Sequence, residues 1–141
     1  MAIKTYKGLF KALNKNIDIA IENTAKILLE KLKEYINEDY YNLYEPIYYK
    51  PRTMKFLKSA VANITGKSTA TIGIDELYRS YQYPFGDWTG EEQTYMADAG
   101  FHGNSDIYRD GHFWKDFEQF CEENLIGIFK EELGKQGIKV K

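Results

Sequence analysis

His102, Asp106, Asp110 and His112 lie close together in a glycine-rich stretch, and residues of these types could hold a divalent cation or carry a proton. Their spacing matches no zinc or nuclease pattern, and the helix-borne His-Glu pairing of metalloproteases is absent. His102, between Phe101 and Gly103, reads more simply as a turn residue bonded to backbone. Cys121 is the single cysteine, so no internal disulfide can form, and its apolar-periodic surroundings suit a small buried hydrophobe in a reducing compartment better than a nucleophile. Glycine-rich phosphate loops and a nucleophile elbow are missing, so acyl or phosphoryl transfer has no visible residues. The expectation is a non-enzyme with no catalytic, cofactor or metal site. Arg52 has a planar fork suited to phosphate, although a salt bridge or a carbonyl cap is its simpler use. Lys135, Lys139 and Lys141 read as a solvated basic tail.

Tyrosine is the residue type whose placement is informative. Of twelve tyrosines, Tyr35, Tyr40, Tyr41, Tyr44, Tyr48 and Tyr49 fall around Pro46 and Pro51, where a helical pattern gives way to an extended connection. A tyrosine presents a large apolar face and a polar tip with only two torsions to freeze, which suits contacts better than chemistry. Tyr40, Tyr41, Tyr44, Tyr48 and Tyr49 are therefore candidate interface residues, with Arg52, Tyr83 and Trp88 beside them; the alternative for some is to cover the end of the first helix.

These residues need elements to position them. Leu13, Ile17, Ala20, Ile21, Thr24, Leu28, Leu32, Tyr35 and Ile36 recur at helical spacing, predicting a long amphipathic helix over 11–43. Residues 1–10 either extend it or form a separate arm, since Gly8 weakens the helix. Pro46 and Pro51 keep the next segment extended, and Thr53 is a candidate cap for a short helical turn through Met54, Phe56 and Leu57. Ala60, Ala62 and Ile64, then Ala70, Ile72 and Ile74, alternate with other residues on either side of Gly66, predicting a hairpin that turns there and completes a unit over 53–75. Residues 76–111 form a long, irregular, aromatic insertion in which Thr89-Gly90-Glu91-Glu92 reads as a capping box opening a short helix. Trp114, Phe117, Phe120, Cys121, Leu125, Ile128, Phe129 and Leu133 predict a second amphipathic helix over 112–134 that stops at Gly134, and in the tail, 135–141, Ile138 and Val140 suggest a final short strand. The result is one α+β domain: a long N-terminal helix and a C-terminal helix packed on a small antiparallel β-sheet, with a long irregular insertion.

Composition agrees with a single globular unit. At 141 residues, 43% hydrophobic and 16% aromatic, the chain supports a modest core. Nineteen basic and twenty-one acidic residues give a net charge of -2, which disfavours a dedicated nucleic-acid binder. The N-terminal residues lack a continuous apolar h-region and no apolar run reaches membrane-spanning length, so a soluble protein without membrane association is expected.

The paired tyrosines, the proline, Arg52-Thr53 with Leu57 and Ser59 entering a strand, then Gly100-Phe101-His102-Gly103 and a helix opened by Trp114 resemble the bacteriophage putative tail-component family. The resemblance spans roughly Leu28 to Leu133, and its segment from Leu77 to Met96 is longer and more aromatic than that family's. It implies a structural virion protein of a tailed bacteriophage: a neck or tail-completion component that oligomerises as a homomeric ring to join the head connector to the tail. Its implied partners are connector, tail terminator or tail tube proteins, with non-specific contact to transiting DNA left open. Its implied location is the virion neck or tail, after assembly in the bacterial host cytoplasm. The alternative is a carbohydrate or host-surface binding module that uses exposed Tyr83, Trp88 and Tyr95 as a stacking platform; a small dimeric regulatory protein is a further class.

Overall fold

The computed structural model describes residues 5–43, 54–75, 81–83, 86–88, 90–100 and 111–141. Helix α1 runs Tyr6–Asp39. Thr5 is its N-cap: the backbone there is extended and the hydroxyl accepts from the Gly8 N–H at 3.1 Å, satisfying one of the orphan donors of the first turn. Because the cap lies upstream of Gly8, residues 6–10 belong to the helix and not to a separate arm; the ladder on either side absorbs the roughly 1 kcal/mol that glycine costs. The α-helix ends at Asp39 and the chain stays helical to Leu43. The Tyr40 N–H still reaches the Ile36 carbonyl at 3.1 Å, after which Tyr41–Leu43 tightens into a 3-10 turn.

Helix α2 is a single turn, Lys55–Lys58. Its N-cap is Met54, in the left-handed region at φ 55, with no side-chain cap bond; Thr53 lies outside the described residues. Ser59 ends the turn fully buried. Its hydroxyl donates to the Phe56 carbonyl at 2.6 Å and its own carbonyl accepts from the Asp75 N–H at 2.7 Å, which holds the base of the following hairpin closed.

Strands β1, Ala60–Gly66, and β2, Thr69–Ile74, form that hairpin. Ala60 pairs with Ile74, Ala62 with Ile72 and Ile64 with Ala70, so the small and β-branched residues share one face as the alternation required. The register slips between Ile64 and Gly66, which moves the turn past Gly66 onto Lys67 and Ser68. Ser68 takes φ 56, unusual for a side-chain-bearing residue, and both its N–H and its hydroxyl donate to Asp18 Oδ1, at 2.9 and 2.7 Å. The hairpin tip is thereby tied to α1.

The stretch expected to be irregular contains three short elements. Strands β3, Tyr81–Tyr83, and β4, Gly86–Trp88, pair antiparallel, and α3 runs Gly90–Asp98, where the capping-box pattern placed a short helix. Helix α4 runs Phe113–Lys135. It passes through Gly134, because the left-handed residue that stops it is Gly137 at φ 81. The Ile138 N–H reaches the Leu133 carbonyl and the Gly137 N–H reaches the Gly134 carbonyl, both at 2.9 Å, which closes a Schellman motif. Residues 138–140 form no strand: the Ile138 N–H, which a ladder would need, closes the helix end instead.

The chain is thus α+β, with α1 the element that the β1–β2 hairpin and α4 both pack against. Ala20, Thr24, Ala25, Leu28, Leu32 and Ile36 are its buried positions, a stripe wide enough for two neighbours. Helices α1 and α4 are antiparallel. Asp39 meets Asp116, Tyr35 stacks edge-on to Phe120 with ring centroids 6.3 Å apart, and Asn23 Nδ2 donates to Glu132 Oε2 at 3.3 Å. Leu28, Leu32, Ile36, Phe56, Ala60, Ala97, Phe113 and Phe117 form the core cluster. Among the described residues, no helix is long and apolar enough to cross a membrane.

Candidate functional site

The candidate site lies where α1 ends, α2 begins and α3 meets the start of α4. Its apolar half is a run of edge-to-face aromatics. Phe56 stands at ring-centroid distances of 4.9 Å from Tyr40 and 5.0 Å from Phe113, with Tyr41 edge-on to Tyr40 at 5.1 Å, and Trp114 lies 5.7 Å from Phe117. The Tyr41 hydroxyl accepts from the Leu57 N–H at 3.3 Å, supplying a partner to an orphan donor of the one-turn helix. Tyr40 and Tyr41 are half-buried and pack against the core cluster where α1 ends.

Of the residues that build the polar half, the sequence pattern singled out His112 but not Asp39, Asp98 or Asp116. Asp98, the last residue of α3, makes two contacts with the start of α4. Its carboxylate accepts from the Trp114 N–H at 2.9 Å, capping α4 from outside the helix, and its backbone carbonyl lies 2.7 Å from His112 Nδ1. His112, the N-cap position, makes no side-chain cap bond of its own, so Asp98 takes that role. Gly111 is pressed against the carbonyl of Asp39, and a Cβ there would collide with that oxygen and with the Leu43 side chain.

Asp39 faces Asp116 of the first turn of α4, and its carboxyl is pushed up to about 7. Burial is the largest cause, followed by the hydrogen bond with Asp116 and that group's charge; His112 acts in the opposite direction. Asp39 Oδ2 is buried and has no hydrogen-bond partner among the described residues. A buried carboxyl held protonated up to about neutral pH beside a second carboxylate-bearing residue can act as a pH-sensitive clasp between the helices. A readable signal for it existed. Glu38 and Asp39 end a helix whose last turn holds no basic residue, against the preference of the helix dipole for cations there.

Below the pair, Lys31 Nζ sits 5.3 Å from the Tyr35 ring centre and 5.0 Å from that of Phe120 while bonding Glu34 at 2.7 Å. Tyr35, Asp116, Gln119, Phe120 and Glu123 line a shallow depression beside it. Cys121 is a free thiol, half-buried, pushed up by burial and then by Glu118, which agrees with its reading as a packing residue.

Of the other sequence candidates, Tyr44, Tyr48, Tyr49 and Arg52 lie outside the described residues, as do His102, Asp106 and Asp110. Tyr83 and Trp88 belong to the β3–β4 hairpin, where they pair through the backbone with Gly86 and Tyr81; their side chains lie outside the description. Tyr95 on α3 is exposed. Among the described residues, no group of three or more His, Cys, Asp or Glu converges as a metal site.

The profile of the family described as YomN matches residues 5–135. No curated protein and no solved structure matches the chain.

Proposed function

The chain belongs to the YomN family, whose name follows the pattern of Bacillus prophage gene products, and from that membership we propose that it is a structural virion protein of a tailed phage or prophage. Family membership is the observation that carries the reading. It is coarser than the tail-component resemblance: it supports a phage-related protein and leaves the place in the virion to the proposal. The place proposed is the neck or tail-completion region, where the protein, acting without catalysis, forms a homomeric ring between the head connector and the tail.

Two structural features support an assembly role. Large apolar side chains stand exposed on several elements, among them Tyr6 and Phe10 on α1, Ile64 on β1, Tyr95 on α3 and Ile126 on α4. Among the described residues the β1–β2 hairpin pairs with no third strand, and a hairpin edge of this kind is a means of pairing with a neighbour. Induction of a lysogen carrying a tagged copy, followed by gradient separation of heads, tails and complete particles, tests the reading. Tag at a tail end or at the head-to-tail junction is the expected result. A protein that stays in the free fraction and is retained on a glycan array would overturn it in favour of the binding-module alternative.

A further inference from the structure

The two elements that cover α1 stop well short of its N-terminal end. Between Asp39–Asp116 and Asn23–Glu132 the antiparallel pair advances residue for residue, so α4, ending at Lys135, reaches only to about Ala20. The hairpin stops at the same level, with its tip bonded to Asp18. Every buried residue of α1 lies at or beyond Ala20. The first twelve residues, Tyr6 to Ile17, therefore project as a helical arm of about 18 Å.

The arm carries the seam onward. Tyr6, Phe10, Leu13 and Ile17 follow one another at steps of four, three and four, and the same rhythm continues into buried Ala20 and Thr24. Tyr6 is 83% and Phe10 61% exposed. Lys7, Lys11 and Lys15 flank this stripe at steps of four, and no acidic residue occurs between Tyr6 and Ile17. In a protein of net charge -2, the arm is a local basic, apolar ridge.

Its complement lies on the outward face of α4. Glu118, Glu122 and Glu123 are exposed, Ile126 is 69% exposed one turn after Glu122, and Leu125 adjoins it. Glu118 also accepts from Trp114 Nε1 at 2.8 Å and Glu123 from Gln119 at 3.1 Å, bonds that fix these carboxylates without covering them. Lys115 and Lys130 stand at the two ends of the face, leaving its middle acidic. Because the arm extends past the end of its own α4, it cannot fold back onto that face. Pairing two arms with each other would set lysine against lysine.

We infer that the basic, apolar arm of α1 docks on the acidic outer face of α4 of a second copy of this chain, head to tail. The inference deepens the homomeric reading proposed above by naming its interface. Such a contact is heterologous, so repetition yields a ring or an open filament and not a closed dimer. It is also small: Tyr6 and Phe10 supply most of the apolar area, at roughly 150–250 Å² each, against about 800 Å² per partner for a standard stable interface. Pairwise affinity is therefore weak, and assembly depends on concentration, on closure and on low salt.

Sedimentation velocity on the full-length chain across a concentration series at low and high salt tests this. Wild type should form higher species that dissolve as salt rises. The triple variant Lys7→Glu/Lys11→Glu/Lys15→Glu should stay monomeric, and so should Glu118→Lys/Glu122→Lys/Glu123→Lys. An equimolar mixture of the two should assemble again, because each then offers the surface that the other lacks. Circular dichroism with an unchanged melting temperature confirms that each variant is folded. A wild type that is monomeric throughout, reversals without effect, or a mixture that fails to assemble overturns the inference. Virion association of the arm variant at wild-type level would overturn this interface while leaving the phage reading intact. Mixture-dependent assembly of a chain missing from virions would do the reverse.

Discussion

At the scale of single residues, the carboxyl of Asp39 is the most consequential group. Its value of about 7 in the fold lies above the ordinary 3.8, so the native state holds the proton more tightly than the unfolded chain does. The stabilisation linked to that proton is complete below about pH 4 and is lost as pH rises through 7. Asp39→Asn keeps a neutral group beside Asp116, so it should raise stability at pH 8 and have little effect at pH 4. Solvent screening of a partly exposed pair limits the gain to about 1 kcal/mol, or about 3 °C in melting temperature. Thermal melts of both proteins across that pH range check it, and a gain of equal size at both ends would exclude the Asp39 proton as its origin. Gly111 is constrained by space. Gly111→Ala drives a methyl into the Asp39 carbonyl, backbone that cannot swing aside as a side-chain tip can, and should destabilise by about 2 kcal/mol in chemical denaturation.

At the scale of elements, the start of α4 depends on a residue of another helix. Asp98→Ala removes the carboxylate that accepts from the Trp114 N–H and should cost about 1 kcal/mol, with the loss concentrated in faster amide exchange at the first turn of α4. Asp98→Asn retains an acceptor and should recover most of it. The other end of α4 was only partly legible. A helix stop near the last apolar residue follows from the pattern, but the sequence offers both Gly134 and Gly137, and only the backbone shows that Gly137 takes the left-handed conformation. Thr5 hid for a similar reason: a threonine three residues before Gly8 is an unremarkable string until the hydroxyl is seen on the Gly8 N–H.

At the scale of the whole molecule, stability and assembly separate along α1. Phe113 is fully buried against Phe56, and Phe113→Ala should cost about 3–5 kcal/mol and lower the cooperative melting transition accordingly. Phe10→Ala, on the projecting arm, should leave that transition within about 0.5 kcal/mol and act on self-association alone. A comparable loss of stability from both would mean that the arm is covered within the monomer. Tyr44→Ala with Tyr48→Ala belongs to the same comparison: an unchanged transition with impaired assembly is the expectation for contact residues.

The sequence by itself determined the elements whose signals are local. Apolar spacing of 3.6 residues produced the two long helices, period-two alternation produced the β1–β2 hairpin and its inward face, and Thr89-Gly90-Glu91-Glu92 marked the helix that follows β4. Hydrophobic patterning is written residue by residue and needs no partner to be read. What only the tertiary structure decided are relations between distant positions. Asp39 meets Asp116, Asp98 caps a helix to which it does not belong, Ser68 is anchored on Asp18, and α4 ends level with Ala20. No local pattern encodes these pairings, because the helix register and hairpin angle that create them are set by how the core residues pack. That packing also leaves the first three turns of α1 uncovered among the described residues, although their apolar stripe reads in sequence like the buried one that follows.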